Sequence, residues 1–181
     1  MIIGGTGMLA GASRFIAARA GAVSLFAHTE ASLLSLRQGL PDALEVATTA
    51  VDYRSQQAFS AAIRSSVKKF GVPEMVLAWV HTEAPALALA AQLAAYGQPV
   101  QFFHVLGSAS ASPSASLVQQ RRYYDALPEL AYHQIVLGFV ADEQGSRWLH
   151  NDEIVNGVID AVRENAACHV VGTVEPWHAR P

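Results

Sequence analysis

The chain has 181 residues, with 12 Lys and Arg against 15 Asp and Glu and a formal charge of −3 at pH 7. Its 51% hydrophobic content suffices to bury one core without disulfide or metal support, and it lacks the basic field that nucleic acid demands of a partner. The lone Cys168 excludes an intramolecular disulfide and a cysteine-based zinc site and fits a reducing, cytoplasmic compartment. No basic segment precedes an apolar run at the N-terminus, and no uncharged stretch reaches the roughly 18 residues of a membrane span, so neither leader nor membrane partner is expected. With only 15% charged residues, some apolar surface is expected to lie in a homo-oligomer interface.

Short β-rich runs alternate with longer amphipathic stretches throughout, which predicts parallel βαβ units within a single domain, 1–181. Met1–Ile3 leads into Gly4-Gly5-Thr6-Gly7-Met8-Leu9-Ala10, and a helix is predicted from about Met8 to Ala20, with Gly21 as its C-cap. Val23–Ala27 reads as a strand, and Thr29 as the N-cap of a helix carrying Leu33, Leu34 and Leu36. Leu44–Val51 is a third strand, followed by Asp52-Tyr53 and a helix with Phe59, Ile63, Val67 and Phe70 at three-to-four spacing. The apolar run Met75–Val80 predicts a central strand buried on both faces. A helix over Glu83–Tyr96 and a strand over Val100–Leu106 follow, then a strand-to-helix turn through Gly107–Pro113. A short helix is expected near Leu117–Ala126, a strand over Gln134–Val140, and a turn at Asp142–Gly145. Asn151 is expected to cap a helix to about Arg163, and His169–Val174 to close the sheet. The expected architecture is α/β: a Rossmann-type three-layer sandwich around a mostly parallel, doubly wound sheet of about six or seven strands.

Gly4, Gly7 and Ala10 form a G-x-x-G-x-x-A pattern between a strand and a helix. Small residues at this spacing permit a tight turn, close backbone approach to a pyrophosphate and close packing of the following helix, whose N-terminal N–H groups face the phosphates. The pattern therefore predicts dinucleotide binding.

With this loop and element order, the sequence resembles the short-chain dehydrogenase/reductase superfamily, over nearly its whole length. Gly4, Thr6, Gly7 and Ala10 match the family's loop, which also contains Met8 and Leu9. Asp52 matches the acidic residue that the family places near the adenine, with Tyr53 beside it, and Val80 ends the strand where an Asn-Ala-Gly segment is usual; that segment is absent. Ser108 follows the fifth strand, where the family carries its catalytic serine, and Gly138-Phe139-Val140 resembles the Pro-Gly-containing segment, with Leu137 in place of proline. Tyr123 and Tyr124 lie at about the distance of the family's catalytic tyrosine, but four residues beyond them stand Leu127 and Pro128, where the lysine is required. A phenol without that ammonium is a poor base at neutral pH.

The resemblance implies a nicotinamide dinucleotide. NAD-specific members carry an acid at the end of the second strand; here Ala27-His28-Thr29 carries none, so NADP is expected, with NAD as the alternative. His28, Thr29 and Arg14 are candidate partners for a 2′-phosphate. His81, at the end of the fourth strand, is a candidate acid or base, His104 is expected further inside, and their spacing indicates no metal site. Ser108 is the candidate to hold a substrate carbonyl, and Arg147–Glu153 a segment expected to close over the cleft or form a subunit contact. Two functions follow: an NADP(H)-dependent oxidoreductase acting on a small carbonyl or alcohol, or a non-catalytic dinucleotide-binding or redox-sensing module acting as a homo-oligomer.

Overall fold

The computed structural model describes residues 1–111, 117–142 and 145–181. Ser112 and Pro113 of the predicted strand-to-helix turn, and Glu143 and Gln144 of the predicted tight turn, lie outside the described residues. The elements run β1 (Ile2–Ile3), α1 (Ala10–Ala17), β2 (Ala22–Ala27), α2 (Glu30–Arg37), β3 (Glu45–Ala50), α3 (Gln56–Phe70), β4 (Met75–Trp79), α4 (Glu83–Ala94) and β5 (Val100–Gly107). A 3-10 turn over Ser108–Ala111 leads on to α5 (Leu117–Asp125), β6 (Leu130–Leu137), β7 (Phe139–Asp142), β8 (Gly145–Trp148), α6 (Asn151–Glu164) and β9 (Cys168–Val171).

Seven strands form one parallel sheet in the order β3-β2-β1-β4-β5-β6-β9, a doubly wound α/β architecture. The period-two alternation of strand side chains divides the core between the two faces. Ile2, Leu25, Leu77, Phe103 and Val105 pack against α1, α2 and α6; Ile3, Phe26, Val76, Ala78 and Phe102 pack against α3, α4 and α5. The central strands read as continuous apolar runs because both faces are covered. Edge strand β3 is exposed or half-buried along its length.

Several local expectations shift. Helix α1 ends at Ala17, and the N–H groups of Arg19 and Ala20 bond back to the Ile16 and Ala17 carbonyls, so Gly21 is not a left-handed cap. His150 rather than Asn151 is the N-cap of α6, because the Glu153 carboxylate reaches back to the His150 N–H at 2.7 Å. The predicted strand 134–140 extends instead from Leu130 to Leu137 and breaks at Gly138, where a Cβ would collide with the Thr173 carbonyl. Phe139 and Thr173 exchange two backbone bonds of 2.8 Å, which draws the chain out of the sheet into the antiparallel β7–β8 pair and ends β9 at Val171. No helix among the described residues is long and apolar enough to cross a membrane.

Candidate functional site

The strand order reverses between β1 and β4, and the loop after β1 opens at that switch point, the place where open α/β sheets bind ligands. Gly4 has φ +72° and donates its N–H to the Phe26 carbonyl at 2.9 Å; a Cβ there would strike the Trp79 carbonyl. Glycine is therefore required both by conformation and by space. Gly5, which the G-x-x-G-x-x-A pattern passes over, is where α1 packs onto the loop: its carbonyl accepts from buried Ser13 Oγ at 2.8 Å, and a side chain would collide with Ser13 and Ile2. Gly7 faces open space, and α1 starts at Ala10 without a side-chain cap. A backbone cradle backed by an uncapped helix start suits a pyrophosphate. Of the remaining loop residues, Met8 is exposed, whereas Leu9 is wholly buried in the core and anchors the loop there.

Two cavities lie along the carboxyl ends of the strands. The first, of about 310 Å³, lies over β1, β2 and β3 and brings together Gly4, Thr6, His28, Asp52 and Tyr53 from the expected set. Arg54, unremarked in the sequence, joins them: its guanidinium meets the Asp52 carboxylate at 2.9–3.1 Å, and its N–H donates to Asp52 Oδ1 at 2.9 Å. These bonds hold the Asp52 carboxyl below the usual carboxylate range. Thr29 does not line this cavity; its hydroxyl caps α2, accepting from the Ser32 N–H at 3.3 Å. The Arg14 side chain runs against Gly39.

The second cavity, also about 310 Å³, lies over β4 and β5 and is lined by Val80, His81, Glu83, His104, Ser110 and Gln120 among others. Trp79 and His81 line both cavities, their rings meeting edge to face with centroids 4.5 Å apart. Of the expected catalytic set, His81 lies in the cleft. Ser108 is buried in the 3-10 turn, and its neighbours Ala109 and Ser110 line the cavity. Tyr123 is 53% exposed, whereas Gln120 is the α5 residue that lines the cavity. Leu117, Gln120 and Tyr124, spaced three and four apart, mark the inner face of α5, and Tyr123 falls off it. That spacing was legible in the sequence; counting residues from Ser108 did not use it.

Beneath this cavity lies a buried polar cluster. His104 is 1% exposed, with Nδ1 3.0 Å from the Tyr132 hydroxyl, and burial lowers its pKa to about 4. The Tyr132 ring stacks on Tyr124 with centroids 3.9 Å apart, and burial raises both phenols above their ordinary value. Arg121 is held away from the cavity by bonds to the Ala167 and Tyr132 carbonyls and by Asp125.

A glycine turn at the switch point of a doubly wound parallel sheet defines a Rossmann-type α/β protein. No protein-family model matches the sequence, and a search among curated proteins finds no relative. Solved structures do match, and they narrow the class. A short-chain dehydrogenase from Oenococcus oeni superposes with a TM-score of 0.74 at 15% identity, covering 99% of this chain and 95% of the other. The bulky-bulky ketone specific alcohol dehydrogenase from Comamonas testosteroni gives 0.70 at 12% identity, over 98% and 88%. A short-chain dehydrogenase/reductase from Vibrio parahaemolyticus gives 0.67 at 14%, over 94% and 96%. The chain has the fold of the short-chain dehydrogenases/reductases.

Proposed function

We propose that the protein is an oxidoreductase of the short-chain dehydrogenase/reductase type that binds NADP(H) across the two cavities and interconverts a small carbonyl compound and its alcohol. The observation that carries this reading is that the first cavity, lined by Gly4 and Thr6 of the glycine loop, shares Trp79 and His81 with the second cavity over β4 and β5. A dinucleotide is a two-part ligand joined at a pyrophosphate, and its shape matches that arrangement. Gly4, Gly7 and the start of α1 would hold the pyrophosphate, and Thr6, Asp52 and Tyr53 the adenosine half. His28 and Arg54 offer an imidazole and a guanidinium to a 2′-phosphate, and position 28 has no carboxylate to repel it. NADP is therefore preferred over NAD.

The bound dinucleotide would supply the hydride, and the chain supplies position and a proton. Imidazole is the side chain whose proton exchange falls nearest neutral pH, and His81 is the one exposed to the second cavity. In reduction His81 gives a proton to the carbonyl oxygen as hydride reaches the carbon; in oxidation it takes that proton back. Ser110 and Gln120 hold the oxygen by hydrogen bonds, in place of Ser108 and Tyr123. Calorimetric titration with NADPH, NADP, NADH and NAD tests the binding, with NADPH and NADP expected to be tightest. Absence of binding by all of them at millimolar concentration overturns the proposal. Turnover of carbonyl substrates that is unaffected by His81→Ala removes His81 from the mechanism.

A further inference from the structure

The charge lining the second cavity selects among carbonyl compounds. Its described lining contains one carboxylate, Glu83 in the first turn of α4, and neither Lys nor Arg. Residues 112–116, between the 3-10 turn and α5, are Ser-Pro-Ser-Ala-Ser in sequence and add no charge. The nearest arginines of α5 do not reach in: Arg121 is bonded to the Ala167 and Tyr132 carbonyls and paired with Asp125, while Arg122, two positions from Gln120, projects on the opposite side of the helix and is exposed. The remaining polar groups, from Thr82, Ser110, Gln120, His81 and the buried His104, are uncharged donors and acceptors or imidazoles. Burial chiefly, and the Glu83 charge after it, disfavour ionisation of the Tyr124 and Tyr132 phenols beneath the cavity.

Resting on the oxidoreductase reading above, we propose that the substrate is a small polar carbonyl compound, or its alcohol, that bears no carboxylate or phosphate, and that Glu83 favours one carrying an ammonium group next to the carbonyl. A carboxylate in this cavity would lose its hydration without gaining a cation and would meet the Glu83 charge. The N-terminal end of α4 would attract an anion, but Glu83 already occupies that position and its charge offsets the helix end. An ammonium would gain the Glu83 carboxylate, and a hydroxyl would gain Ser110 and Gln120.

Aminoacetone, hydroxyacetone and pyruvate separate these cases, because all three are methyl ketones of nearly equal size that are cationic, neutral and anionic at pH 7. Dissociation constants from ligand-observed NMR are measured on the protein with and without saturating NADPH, alongside NADPH oxidation at 340 nm. The expected order is aminoacetone, then hydroxyacetone, then pyruvate, with about fivefold or more between neighbours. Glu83→Gln is expected to bring aminoacetone level with hydroxyacetone, and Glu83→Asp to preserve the order. Pyruvate binding as well as hydroxyacetone overturns the proposal, as does an order that survives Glu83→Gln or no binding of any of the ketones at tens of millimolar. Failure of NADPH to bind strikes the oxidoreductase reading instead, and the ketone order on the dinucleotide-free protein still decides the cavity's selectivity.

Discussion

Replacing His104 with Gln removes a titratable ring from the core while keeping a polar group beside Tyr132. His104 is 1% exposed, and burial lowers its pKa from 6.5 to about 4. The ring is neutral in the folded protein at pH values where the unfolded chain would protonate it. The unfolded state therefore holds the extra proton between about pH 6.5 and pH 4, and stability must rise with pH across that window. The penalty is absent above the upper limit and complete below the lower one. At roughly 1.4 kcal/mol per pH unit, the interval from 6.5 to about 4 amounts to about 3 kcal/mol. The neighbouring phenols of Tyr124 and Tyr132, both raised by burial, stay neutral throughout, and surface carboxylates titrate alike in both proteins and cancel. Urea denaturation of the wild type and His104→Gln from pH 8 to pH 4 measures the effect. Wild-type stability minus that of the variant is expected to be flat above pH 7 and to fall by about 3 kcal/mol by pH 4. A difference independent of pH would refute the assignment of a neutral buried imidazole.

Gly4→Ala forces a side chain into a backbone of φ +72° and against the Trp79 carbonyl, so it is expected to cost about 1–3 kcal/mol in urea denaturation and to abolish dinucleotide binding in calorimetry. Thr29→Ala removes the α2 cap and is expected to lower stability by about 0.5–1 kcal/mol with NADPH affinity unchanged; a selective loss of NADPH affinity would return Thr29 to the 2′-phosphate site. Phe102→Ala, at a wholly buried ring packed near Tyr124 and Tyr132, should cost about 3–5 kcal/mol. Glu153, held at a pKa of about 2 by the Arg147 side chain and the His150 N–H, stabilises the fold above its unfolded value of 4.5 and loses that effect as pH falls towards 2. Glu153→Gln should remove this part of the acid sensitivity in pH-dependent melting.

The sheet was legible in the sequence because its central strands are buried on both faces and appear as apolar runs, as in Met75–Trp79 and in Phe102–Leu106, which only His104 interrupts. The Thr29 cap was legible because capping is decided within one helical turn. The hairpin of β7 and β8 was not, since the break at Gly138 depends on Thr173, which is 35 positions away in the chain and close only after folding. In the candidate site, glycine spacing pointed to the loop and the strand ends pointed to His28, Asp52 and His81. Arg54 was missed because its value comes from a guanidinium folding back on Asp52, a side-chain conformation that spacing does not encode. Ser110 and Gln120 line the second cavity and were not singled out for a different reason: Ser108 and Tyr123 were chosen by their distance along the chain, while the direction of a side chain is set by the turn and helix that carry it.

Trp79 and His81 form a common wall between the two cavities, and this has a thermodynamic corollary. A ligand in the first cavity that fixes these two rings would alter the free energy of placing a molecule in the other cavity, and the coupling would be equal in both directions. An adenosine fragment with no nicotinamide, such as ADP-ribose, would by this route shift ketone affinity on the far side of the wall, and the ketone would shift affinity for the fragment by the same factor.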